Sequence, residues 1–273
     1  MMKKLCVSLV AICFGMNAYC EGVVLSDTAV NGSDYSYTYD TSSGSEQNTR
    51  LTLEDVLATD TSDPLYLTPD NHLLSDTFLY YVDEKIRVGQ YLDFGVNDSL
   101  VVHANILYQW DLSGNKENGF SATEFGGVYR MNHGGDDYHI ISDALFGLKV
   151  WGSSHVRTPE YADSSYYAGL RFGRRFVGAT LSATFKSTWV FDDERGLSYL
   201  DFIPEAYFRF KGDWRAGLGF DLRKSTNTHL LKNQEWVNFK LVKQFGKTQY
   251  VGHCDYEFET EEIQAGLDIK ILF

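Results

Sequence analysis

Residues 263–273 read IQAGLDIKILF, and their alternation decides the fold. Ile263, Ala265, Leu267, Ile269, Ile271 and Phe273 fall on one face, and Gln264, Gly266, Asp268, Lys270 and Leu272 on the other. Successive side chains of a strand point to opposite sides, so this is a strand with one oily and one wet face. It finishes on a bare aromatic, where the end of a soluble domain ordinarily frays. A closed barrel accounts for both features, because its last strand must pair with its first.

The same texture repeats upstream. Twelve alternating segments are expected at 74–84, 86–96, 99–112, 120–131, 137–151, 163–175, 177–191, 197–210, 214–225, 234–245, 248–259 and 263–273. The pattern is strict in 214–223, where Trp214, Ala216, Leu218, Phe220 and Leu222 oppose Arg215, Gly217, Gly219, Asp221 and Arg223. In 177–191, Ser187 is the one polar member of a row otherwise made of Val177, Ala179, Leu181, Ala183, Phe185, Trp189 and Phe191. Connections after even segments are short, as in Asn97-Asp98, KGD (211–213) and GKT (246–248). Those after odd segments are mostly longer, as in GSSHVRTPEYAD (152–163) and TNTHLLKNQE (226–235).

An even strand count with tight turns at one end and long loops at the other is the layout of a bacterial outer-membrane barrel. The fold expected is therefore all-β: a transmembrane antiparallel up-and-down barrel of about 12 strands in a Gram-negative outer membrane, both termini periplasmic. A secreted β-sandwich also alternates, but it would bury one face in a core and wet the other.

Composition agrees. The 273-residue chain carries a net charge of −13, which argues against a nucleic-acid partner. It holds 18 Tyr and 18 Phe but only 4 Pro, which suits strands with large contact surfaces. Residues 1–20 have the form of a signal peptide. Lys3 and Lys4 precede the apolar Leu5–Met16, and Ala18-Tyr19-Cys20 offers small residues for cleavage near Cys20/Glu21. A lipoprotein acylated at Cys20 is the alternative, and Tyr19 is the wrong neighbour for it. Cys6, Cys13 and Cys20 then leave with the signal, and Cys254 alone remains, on an apolar row facing lipid. No run of about 18 apolar residues follows, so no membrane helix is expected.

Residues 21–70 form an acidic N-terminal extension whose one basic residue is Arg50. Its polar part is expected to be flexible, with a short helix at Leu51–Leu57 and turns at Asp63-Pro64 and Pro69-Asp70-Asn71. It either plugs the lumen, where its charge would suit Arg171, Arg175, Arg215 and Arg223, or stays a periplasmic tail. The barrel itself is expected over 71–273.

With the apolar rows turned to lipid, the polar rows line the lumen. They carry Arg87, Asp93, Glu124, Arg130, Asp143, Lys149, Arg171, Arg175, Lys186, Asp201, Glu205, Arg209, Arg215, Asp221, Arg223, Lys240, Asp255, Glu257, Asp268 and Lys270, with His103, Asn105 and His253 among them. Opposite charges should pair across strands, for example Glu205 or Asp201 with Arg215 or Arg223, because uncompensated charge in a confined lumen is costly. Such walls suit a narrow channel that selects small solutes by charge. They equally suit a salt-bridged lumen that only holds a closed barrel acting through its exterior loops. Twelve strands lie between the filled eight-stranded case and the wide sixteen-stranded porins.

The stretch DPLYLTPDNHLLSDTFLYY (63–81), followed by FSATEFGGVYR (120–130), resembles the transporter-like outer-membrane barrels named for the MetA pathway of phenol degradation. The matching parts are Asp63-Pro64-Leu65-Tyr66-Leu67, the strand entry Leu74-Ser75-Asp76-Thr77, and Phe125-Gly126-Gly127 with Tyr129-Arg130. The resemblance covers about 63–273 and leaves out the acidic 21–62. It implies passage of small organic compounds, aromatics among them. The alternating apolar residues Leu267, Ile269, Ile271 and Phe273 also resemble the signal that outer-membrane proteins present to the barrel assembly machinery.

Chemistry of other kinds is thinly represented. Ser153, Ser154 and His155 share an exterior loop, as a barrel hydrolase would require, but no orienting partner stands beside them. Asp192-Asp193-Glu194 could bridge to lipopolysaccharide through a divalent cation, and is more simply a solvated turn. His133 and His139 flank GGDDY at a spacing that only a rigid turn would make a metal site. The expected protein is no enzyme and takes no cofactor or metal. Its partners are outer-membrane lipid, lipopolysaccharide, the assembly machinery and small solutes, with no nucleic acid.

Overall fold

A computed structural model describes residues 59–134, 140–153, 155–156, 159–176, 178–191 and 196–273. The expected signal at 1–20, the extension up to residue 58 with its short helix, Ser154, His139 and the acidic run 192–194 lie outside the described residues.

Thirteen strands follow in order: β1 (Leu73–Val82), β2 (Lys85–Asn97), β3 (Leu100–Asp111), β4 (Gly119–Phe120), β5 (Thr123–His133), β6 (Ile140–Val150), β7 (Ser165–Arg175), β8 (Ala179–Val190), β9 (Ser198–Arg209), β10 (Trp214–Ser225), β11 (Gln234–Phe245), β12 (Thr248–Glu257) and β13 (Ile263–Leu272). They form one antiparallel sheet in which each long strand pairs with its chain neighbours, and β1 pairs with β13. The result is a closed barrel of twelve staves, with β4 a short strip beside β3. The seam runs from Leu74 opposite Leu272 to Val82 opposite Gln264. Phe273 continues it: its amide donates to the Leu73 carbonyl at 2.8 Å, and Leu73 donates back at 3.3 Å. No strand edge is left open along this seam, which is what closure achieves for backbone in hydrocarbon.

One expected strand is divided. The segment 120–131 breaks after Phe120 and resumes at Thr123. Ser121 donates to the Leu107 carbonyl at 2.8 Å, and Ala122 donates to the Tyr161 carbonyl at 2.7 Å. The long loop after β6 folds back here as a one-turn helix, α1 (Pro159–Ala162), and takes the N–H that a ladder partner would have used. Phe120 and Phe125 both end exposed, so the break also shifts the alternation by one residue.

Outward rows are apolar and exposed, as in Leu218, Phe220 and Leu222 on β10 and Leu267 and Ile269 on β13. Aromatic side chains band both rims. Tyr166 stacks on Trp189, and Tyr108 packs on Trp110 and Phe120, at the end with the long loops. Phe245 meets Tyr250 at the end with the tight turns. An apolar belt between two aromatic girdles is the form a spanning barrel presents to a bilayer. Cys254 sits half-buried on the outward row of β12, next in sequence to the inward His253 and Asp255.

Inward rows are tightly packed where Tyr167 lies. The Tyr167 ring lies over Gly147, where an added Cβ would sit 2.3 Å from it, and its hydroxyl shares a 2.9 Å hydrogen bond with His103 Nε2. Only a residue without a side chain leaves room for that ring.

Candidate functional lumen

Residues 59–72 enter the barrel at the tight-turn end, where β1 begins and β13 ends. Asp60 to Leu65 are buried. The segment is wound by its own bonds: Asp63 donates to the Asp60 carbonyl at 3.0 Å, and Tyr66 to the Asp63 carbonyl at 2.9 Å. Asp63 Oδ1 accepts from the Leu65 amide at 2.7 Å, the local turn that an Asp before Pro favours. The exit is pinned on β2, where Asn71 donates to the Gly95 carbonyl and Gly95 to the His72 carbonyl. A Cβ at Gly95 would meet the Pro69 carbonyl oxygen at 1.9 Å, so this close approach requires glycine.

The barrel grips the segment through charge. Asp60 accepts from Arg209 Nε at 2.9 Å and from the Tyr207 hydroxyl at 2.7 Å, and lies 3.5 Å from Arg215 Nε. Asp63 accepts from Arg209 Nη2 and, at 2.7 Å, from the Thr180 hydroxyl, and lies 3.5 Å from Arg175 Nε. The Leu65 carbonyl accepts from Arg130 at 2.7 Å and Arg175 at 2.6 Å. Lys240 donates to the Ser62 carbonyl at 3.1 Å. Gln249 accepts from Thr61 and Ser62 at 2.9 and 2.6 Å.

Beyond the segment the walls carry further pairs. Asp143 sits between Arg130 at 2.8 Å and Arg171 at 2.5 Å. Asp201 joins Arg223 at 2.6 Å and Lys186 at 3.5 Å. Glu205 meets Lys240 at 3.4 Å, Asp76 meets Lys270 at 3.4 Å, and His253 lies 2.7 Å from Asp268. Glu124 reaches His103 at 3.3 Å and Lys149 at 3.9 Å. Arg87 donates to Gln109 and lies over the Tyr161 ring, 4.4 Å from its centre.

Among the described residues, the cavities between these walls include three. One of about 350 Å³ near the long-loop rim is lined by Arg87, Tyr161, Asp221, Arg223, Trp236 and Glu262. Burial, then repulsion from Asp83, holds the Glu262 carboxyl above its ordinary range. A second of about 310 Å³ is lined by Asp76, Tyr80, Lys240, His253 and Lys270, and shares Asn238 and Asp255 with the first. A third, of about 260 Å³, lies against Tyr66, Leu67 and Thr68, with Asp93, Tyr167, Arg171 and Lys186 on its wall.

Of the pairings expected between Glu205 or Asp201 and Arg215 or Arg223, that of Asp201 with Arg223 forms. Glu205 takes Lys240, and Arg215 turns to Asp60. Of the four arginines expected to suit the extension, Arg175 and Arg215 meet it, whereas Arg171 and Arg223 are engaged by Asp143 and Asp201. Arg209, Tyr207, Gln249 and Thr180 carry contacts the sequence did not single out for this role. Glu257 is buried, but its carboxylate ties down the β12–β13 loop by accepting from the Thr260 hydroxyl at 2.6 Å and the Glu235 amide at 3.3 Å. The Ser153 hydroxyl accepts from the His155 amide at 3.3 Å, a local turn, and His133 shares a 2.9 Å hydrogen bond with Ser99. Among the described residues no cluster of three metal-type ligands forms.

A closed twelve-stave barrel, oily outside and ion-paired within, shares its fold with outer-membrane porin barrels. Solved structures similar to it include the KdgM porin, with a TM-score of 0.56 and 12% identity, covering 72% of this chain and 98% of that one. The NanC porin gives a TM-score of 0.56 at 9% identity, over 72% of this chain and 98% of that one. An outer membrane channel from Pseudomonas putida F1 gives 0.55 at 9% identity, over 76% and 97%. At these identities the likeness is one of fold. No family model and no curated protein matches the chain.

Proposed function

We propose that the protein is a passive channel for small solutes in the outer membrane of a Gram-negative bacterium, inserted with its tight-turn end and both termini in the periplasm. The observation that carries this is the series of three polar cavities, about 260 to 350 Å³ each, inside a wall whose outer face is apolar. Similar folds named as porins and as an outer membrane channel support it. Residues 59–70 act as a plug at the periplasmic mouth, within the acidic extension that follows a cleaved signal at 1–20. The charged rows select among solutes. The resemblance to barrels of the phenol-degradation pathway points to small organic compounds, aromatics included. Leu267, Ile269, Ile271 and Phe273 address the chain to the assembly machinery, and the exterior loops meet lipopolysaccharide.

Liposome swelling tests the channel. Vesicles holding the full chain with Asp60→Asn and Asp63→Asn are expected to swell in arabinose much faster than in the trisaccharide raffinose, because cavities of this size pass only the smaller sugar. Swelling no faster than protein-free vesicles would transfer the weight to a closed barrel that works through its exterior loops.

A further inference from the structure

We propose that the guanidinium cluster holding Asp60 and Asp63 is a binding site for small dicarboxylates, which the segment occupies as a tethered competitor. The two carboxylates have matching surroundings. Each has two guanidiniums and one hydroxyl: Arg209, Arg215 and Tyr207 for Asp60, and Arg209, Arg175 and Thr180 for Asp63; Asp60 also accepts from Gln249 Nε2 at 3.3 Å. Arg209 serves both, through Nε to one and Nη2 to the other. That edge of a guanidinium ordinarily takes the two oxygens of a single carboxylate. Here it gathers two separate ones, which places them at the short separation found in a diacid of few carbons.

The site also offers more donors than the segment uses. Arg209 Nη1 is buried and makes no hydrogen bond, and Arg215 Nε and Arg175 Nε reach the segment's carboxylates only as ion pairs across 3.5 Å. A free diacid, unconstrained by the backbone between residues 60 and 63, can settle deeper and take them. The nearby wall carboxylates are engaged elsewhere, Asp143 with Arg130 and Arg171, and Asp201 with Lys186 and Arg223. Once the segment leaves, three crowded guanidiniums lack their carboxylate partners, a state that is strongly disfavoured in a confined lumen. A diacid restores both partners, a monoacid one, and a neutral solute none. The hydroxyls of Tyr207 and Thr180 donate to carboxylate oxygens and so reinforce the choice. The inference rests on the channel reading only for the route by which the diacid arrives.

Calorimetric titration of the full chain with succinate, acetate and succinamide tests it. The Asp60→Asn, Asp63→Asn chain is expected to bind succinate at least tenfold more tightly than the native chain does, acetate more weakly than succinate, and succinamide not at all. Adding Arg209→Gln should abolish succinate binding. If that triple variant fails to show the folded, heat-modifiable band on a gel, Thr180→Val replaces it, with a several-fold loss expected. Succinate binding no tighter than acetate binding, or equal in the native chain, would overturn the proposal. Bilayer recordings on the same variant separate the two readings. Channels without succinate binding sink the dicarboxylate site alone, whereas succinate binding without channels sinks the channel and leaves the site standing.

Discussion

Arg209→Ala is expected to raise hydrogen exchange at the amides of residues 61–63, 65 and 66 by about a hundredfold. Among the described residues Arg209 is the only side chain that bonds both Asp60 and Asp63, and its own side chain is 7% exposed. The remaining guanidiniums, Arg215 and Arg175, stand 3.5 Å away and hold the carboxylates less directly. Removing one partner from a buried, hydrogen-bonded ion pair costs about 3–5 kcal/mol. Taking the lower figure, the equilibrium between seated and released segment moves by roughly two powers of ten. The barrel strands should keep their protection, because local opening and global unfolding are separate events. Mass-spectrometric exchange on the refolded chain reads both at once. Exchange at these amides within twofold of the native chain would mean that the segment is held by its packing and backbone bonds, with the carboxylates incidental.

Asp143→Ala should weaken the barrel itself. The carboxylate is fully buried and accepts from Arg130 Nε at 2.8 Å and from Arg171 Nε at 2.8 Å. Its loss leaves two guanidiniums side by side on β5 and β7, with exposures of only 7% and 16%. The expected cost is again about 3–5 kcal/mol, this time in unfolding free energy. It would show as a lower guanidinium midpoint at unchanged slope. Asp143→Asn keeps an acceptor but not the charge and should fall between the two. A midpoint unmoved in Asp143→Ala would show that water entering the lumen solvates both arginines.

Much of this architecture is written in the alternation. The twelve staves, their ends to within a few residues, and the inward direction of Asp201, Glu205 and Arg209 all follow from a period of two. What alternation cannot supply is height. It assigns a residue to a face, but which residues of distant strands stand level depends on the stagger between strands, and that is set by hydrogen-bond register rather than by polarity. So Asp201 meets Arg223, one of the two arginines expected for it and its direct neighbour on the adjacent strand, while Arg215 finds its partner in Asp60, well over a hundred residues away in the chain. Tyr207 lies between Glu205 and Arg209 on the same inward row, and the alternation placed it there. Counting tyrosine among contact-forming aromatics hid its hydroxyl's role. The break at Ser121-Ala122 had no local signal either, because its cause is a loop some forty residues further on that takes the Ala122 amide through Tyr161.

On the proposed function, this barrel conducts and residues 59–70 close one end of it. Planar-bilayer recording of the refolded chain beside a form lacking residues 21–70 tests this most directly. The expected result is rare, brief openings for the full chain and steady, larger channels for the shortened one, with anion preference from the uncovered Arg175, Arg209 and Arg215. Equal conductance in both forms would contradict the plug, and silence in both would contradict the channel.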